Sequence, residues 1–142
     1  ALTRLSGTLK HFPYHKLGGG ADVQGLVNFF ASDEAAHESA FEAFKALFNL
    51  PYSLSYEDFK ASGFPIDFVK EQNDRVRRLS QEGTFIFSGI QMWNLPPEQL
   101  LEAVRAAEAS ACDDLLYYCY GWADQALFDA IGEYEQHKGT EK

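Results

Sequence analysis

The chain has 142 residues, 46% hydrophobic and 23% charged, an ordinary globular balance that favours one domain with a real core over disorder. Twenty-one acidic against twelve basic residues give a net charge of −9, which argues against nonspecific binding to nucleic acid or anionic lipid, since both are polyanions. No apolar run approaches the roughly 18 residues that a membrane span needs, and the N-terminus shows no apolar signal core.

Residues 1–20 form a basic arm with Arg4, Lys10 and Lys16 and no acid, so the acidic body at 21–142 carries −12. Such an arm lies as an extended strand on the body or reaches to a partner. His15, Lys16 and the run Gly18, Gly19, Gly20 lead into helical spacing at Val23, Leu26, Val27 and Phe30, and a glycine run before a helix can cradle an anion. The run matches no phosphate-binding fingerprint and follows no convincing strand, which makes a flexible turn the simpler reading.

A helix is expected from Ser32, carrying His37, Phe41, Phe44 and Phe48 and stopping before Pro51. Glu34 and His37 make an E-x-x-H, the fragment that di-iron bundles use, but those sites need a second copy on a facing helix and none exists. His37 is therefore expected at the edge of the core. Ser55 with Asp58 caps a short helix closed by Gly63, and a further helix is entered through Pro65 and closed at Gly83. Its cluster Lys70, Arg75, Arg77 and Arg78 is matched by Glu71 and Asp74 at helical spacing, a self-neutralised face.

Thr84 to Trp93 is the one β-like run, with Phe85 and Phe87, then Ile90 and Met92, in alternation. A lone strand cannot satisfy its backbone, so it pairs with the arm at Thr8 to Tyr14 or folds on itself as a hairpin. Asn94 then caps a helix through Leu100, Leu101, Val104 and Ala107. Ser110 to Gly139 reads as one long helix, with a capping-box-like start at Ser110 and Asp113 and an end at His137, Lys138 and Gly139. On such a helix Cys112 and Cys119 stand about 10 Å apart by helix rise, beyond disulfide reach, so both are expected as free thiols, which favours the cytoplasm or another reducing compartment.

The pattern as a whole predicts a mainly α chain, a single domain of about five helices with a short β element near residues 84–93. Aromatic residues reach 15%; rings filling a small core explain this simply, and a ligand or pigment pocket is the alternative. No nucleophile stands beside a base, no metal-ligand cluster is present, and His11 and His15 on one strand face are too far apart for one ion, so no catalytic residue, metal or cofactor is expected. From Asn94 to Gln136 the net charge is −8. The functional expectation is accordingly an acidic interaction module of the inhibitor, immunity or DNA-mimic kind, meeting a basic protein through Asp113, Asp114, Asp124, Asp129 and Glu133. The alternatives are an accessory subunit of a larger assembly and a small-molecule-binding or enzymatic domain that uses its aromatic interior.

Overall fold

The computed structural model describes residues 7–15 and 23–140. In chain order these form β1 (Thr8–His11), α1 (Val23–Phe30), α2 (His37–Phe48), α3 (Tyr56–Ser62), α4 (Asp67–Leu79), β2 (Phe85–Gln91), α5 (Pro97–Glu108), β3 (Asp114–Tyr118) and α6 (Gln125–Thr140). Helix predominates, as expected. The β content is larger than the single element foreseen: β1, β2 and β3 form one three-stranded sheet in that order, all parallel. The contacts divide the chain into two units, one of residues 1–14 with 66–142, the other of residues 15–65, which stands in the connection from β1 to α4.

Unit 15–65 is helical. Ser55 accepts a hydrogen bond from the Asp58 amide at the start of α3, Gly63 closes that helix at φ 74°, and Asn49 ends α2 in the left-handed region just before Pro51. Phe41, Phe44, Tyr56, Phe59 and Phe64 fill the interior, each no more than 4% exposed. The buried Lys45 donates to the Tyr52 and Leu54 carbonyls at 3.2 and 2.6 Å, which anchors the chain between α2 and α3.

The sheet unit is built on crossovers. β2, α5 and β3 make a parallel strand–helix–strand motif, and β1 joins the far side of β2. Val69 of α4, Leu100 and Val104 of α5 and Leu127 of α6 form one buried cluster with Ile90. Asn73 of α4 donates to Ser88 at 2.8 Å. Since side chains alternate along a strand, Ile86, Ser88 and Ile90 mark the face that the helices cover. The other face carries Phe85, Phe87, Gly89 and Gln91. α4, α5 and α6 thus serve one face, an arrangement closer to a sector of a β/α barrel than to a sheet wound on both sides. No described helix is long and apolar enough to cross a membrane.

The long helix expected from Ser110 to Gly139 is not formed. α5 stops at Glu108, the chain turns, β3 runs to Tyr118, a short 3-10 turn covers Tyr120–Trp122, and only then does α6 begin. The reason lies in Leu115, Leu116, Tyr117 and Tyr118. Four consecutive apolar residues carry no alternation, so the run suits this strand at the edge of the sheet and helical spacing equally well. The supposed cap is also otherwise engaged: Ser110 donates to the Ala107 carbonyl at 2.6 Å, and Asp113 accepts from the Ile86 amide at 2.7 Å. Asp124 is the residue that caps a helix here, taking the Leu127 amide at 3.1 Å. Both cysteines are free, but for a different reason from the one expected: they flank β3, roughly 20 Å apart along an extended chain. Asn94 does not cap α5 either; it sits at φ 54° and Pro96 precedes the helix.

Candidate functional site

The five acids expected to act together fall into two groups. Asp113 and Asp114 lie at the amino end of β3, whereas Asp124 follows its carboxyl end, with Asp129 and Glu133 further along α6. Asp113 pairs with Arg77, and the Ile86 amide together with that guanidinium holds its carboxyl below the usual range. Asp129 accepts from Gln125 at 2.8 Å, and Asp124, Asp129 and Glu133 are exposed. Of the anion-loop residues, His15 is buried at 3% exposure and its carbonyl accepts from the Phe64 amide at 2.6 Å; Lys16, Gly18, Gly19 and Gly20 lie outside the described residues. His37 is half-buried against Tyr56 and within 3.1 Å of the Ala31 carbonyl. Among the described residues no group of three or more metal-ligating side chains occurs.

A cleft of about 460 Å³ opens at the amino end of β3, lined by Glu108, Asp113, Asp114, Glu135 and Lys138 among others. Its charges are largely taken: Glu108 by Tyr134 and Lys138, Asp113 by Arg77, and Glu135 by Tyr117.

The carboxyl ends of the strands are different. In sheets of this kind the loops leaving the strand carboxyl ends form the customary ligand crevice. β1 runs out into Phe12, Pro13 and Tyr14, where the Tyr14 amide bonds back to the Phe12 carbonyl at 2.9 Å around the proline. β2 runs out into Trp93. β3 ends on Tyr118, whose carbonyl takes the Met92 amide at 2.8 Å, and is followed by Tyr120 and Trp122.

These rings meet. Tyr14 stacks on Tyr118 with centroids 6.4 Å apart and meets Trp93 edge-on at 5.1 Å; Phe12 lies 5.6 Å from Tyr118, and Trp93 lies 5.5 Å from Trp122. Tyr118 is 44% exposed and Trp122 66%, so ring surface at this end of the sheet faces outward. Gly89 makes room for Phe12: a β-carbon there would come within 2.1 Å of the ring. The aromatic signal was visible in composition, but its members come from three segments far apart in the chain, and only the parallel pairing gathers them.

Two polar atoms within this cluster have no partner. The Gln91 amide nitrogen donates to the Trp93 carbonyl at 2.8 Å, leaving Oε1 buried and unbonded, and the Tyr14 hydroxyl is buried and unbonded as well. Gln91 is 2% exposed and sits in register with Tyr118 on the face opposite the helices. A buried polar group left unsatisfied costs about 1–3 kcal/mol. Burial, with Tyr118 and Cys119 nearby, pushes the Tyr14 phenol far above its ordinary value, so it stays protonated and able to donate. Elsewhere in the sheet unit His11 Nε2 and Asn73 Oδ1 also lack partners, and burial lowers the His11 pKa to about 4. No family model matches this chain, and neither a curated protein nor a solved structure matches it.

Proposed function

We propose that the chain is a ligand-recognising domain that binds an uncharged, hydroxyl-bearing ring, a saccharide in chemical class, at the carboxyl ends of β1, β2 and β3. The observation that carries this reading is the convergence of Tyr14, Trp93, Tyr118 and Trp122 from all three strand ends, with Tyr118 and Trp122 exposing ring surface. Flat aromatic faces attract the C–H side of a sugar ring, while its hydroxyls require hydrogen-bonding groups among the apolar walls. The net charge of −9 disfavours a polyanionic ligand. The free thiols of Cys112 and Cys119 fit a reducing compartment.

Both tryptophans of the chain stand in this cluster, so their fluorescence is a direct reporter. Titration with a panel of neutral mono- and oligosaccharides should shift the emission, and Trp122→Ala should weaken binding by roughly ten-fold, about 1.4 kcal/mol. A panel that leaves the emission and the amide NMR spectrum unchanged would defeat the proposal. The second reading is an acidic contact surface for a basic partner protein. It draws support from Asp124, Asp129 and Glu133, all exposed along α6, and it would show as association that slows when salt rises and when these three become Asn, Asn and Gln.

A further inference from the structure

We infer that the face of the sheet turned away from α4, α5 and α6 docks on the same face of a second copy of this chain, with β1 of each copy lying over β3 of the other. Residues in register across a parallel sheet share a face, so the row through the middle of β2 reads Lys10, Phe87, Asp114. Leu115 and Tyr117 pack into the helix-side core, which leaves Leu116 on the same side as that row. The centre of this surface is apolar and open: Phe85 is 42% exposed with its ring 5.0 Å from that of Phe87, and Phe87 and Leu116 are half-buried. Lys10 and Asp114 are exposed at its two margins. Toward the carboxyl ends of the strands Phe12 already lies over Gly89, so the opening is confined to the amino half of the sheet. All-parallel sheets are characteristically covered on both faces, and here the helices cover one.

The charges select the occupant. Lys10 and Asp114 stand on the two outer strands, separated by β2 and about 10 Å apart. When two such faces meet about a two-fold axis that runs along the strands between the sheets, left and right exchange, and Lys10 of each copy comes opposite Asp114 of the other. Phe87 then meets Phe87 on the axis. A two-fold axis across the strands would instead set Lys10 on Lys10 and Asp114 on Asp114, which like-charge repulsion opposes. The row is therefore its own complement in one arrangement only. The inference stands apart from the saccharide reading, because it uses none of the rings proposed to hold the ligand.

Sedimentation equilibrium of the full chain between about 5 and 500 µM should show the weight-average mass rising from 16.0 kDa towards twice that value. Lys10→Glu and Asp114→Lys, both at exposed positions, should each weaken self-association roughly ten-fold with the far-ultraviolet dichroism unchanged. Phe85→Ser, which removes the exposed ring, should weaken it about as much. Mixing the two charge variants in equal amounts should restore association to within about three-fold of the parent, because every opposed pair is then of unlike charge. The double variant Lys10→Glu with Asp114→Lys should likewise associate as the parent does. A chain that stays monomeric across this range overturns the inference, meaning that something other than a second copy covers the face. Self-association that neither charge reversal weakens, or that the mixture fails to restore, overturns it as well.

Discussion

The chain holds two aromatic clusters of similar size, and they differ in what surrounds the rings. In unit 15–65, Phe41, Phe44, Phe59, Phe64 and Tyr56 are all within 4% of complete burial, mostly hydrocarbon, and none of the unpartnered buried polar atoms among the described residues belongs to that unit. In the sheet unit, Phe12, Tyr14, Trp93, Tyr118 and Trp122 touch one another at comparable distances, yet several stay open, and the Tyr14 hydroxyl and the Oε1 of Gln91 on β2 are unpaired. Ring-to-ring contact alone therefore does not tell a core from a site. What separates the two is exposed ring surface together with polar groups that lack a partner.

The sharpest way to test that contrast is to remove a ring from each cluster. Phe41→Ala takes out a ring with no exposed surface and should cost about 3–5 kcal/mol in urea denaturation followed by far-ultraviolet circular dichroism. Trp122→Ala should cost less than about 0.5 kcal/mol in the same assay, because its ring is mostly in water. Equal costs would dissolve the distinction.

Next in size is the effect of acid on the sheet unit. The unfolded chain takes up the His11 proton near pH 6.5, whereas the folded chain resists it until about pH 4. The unfolded state therefore binds more protons across that window, and stability should fall by about 3 kcal/mol as pH drops through it. Carboxylates held low by partners, such as Asp74 and Asp113, lose their contribution only at still lower pH. Urea midpoints measured from pH 7 to pH 4 should show the decline, and His11→Leu should flatten it. A slope that survives this substitution assigns the acid sensitivity elsewhere.

The smaller effect concerns how the open cluster is seated. Gly89→Ala drives a methyl into the Phe12 ring and should destabilise by about 1–3 kcal/mol while altering the near-ultraviolet dichroism of the aromatic residues. A neutral result would mean that Phe12 moves aside freely and does not brace Tyr14 and Tyr118.

Local chemistry was legible where it is local. Ser55, Gly63 and the stop before Pro51 act as read, and the strand near Phe85 pairs with the arm near Thr8 as expected. β3 was not legible, because a short apolar run carries no periodicity that separates a strand from a helix, and the expected helix took Asp113, Asp114 and both cysteines with it. The ring cluster was half legible: its abundance showed in composition, but its location depends on pairings between residues far apart in sequence. Gln91 carried no signal at all, since a glutamine in a strand looks like any solvated polar residue until its neighbours are known.

The placement of β1 also has a consequence in time. Thr8 lies against Phe85, so β1 has no partner in this sheet until all of α1 to α4 has been made. At about 5–20 residues per second, that leaves β1 with both edges open for on the order of ten seconds. Unit 15–65, in which Phe59 meets Phe41 and Phe64, is complete in sequence well before then. Synthesis thus orders the assembly: the helical unit can pack while the sheet waits for its central strand. During that wait the short, basic β1, with Lys10 facing outward, presents a poor edge for adventitious pairing with another chain.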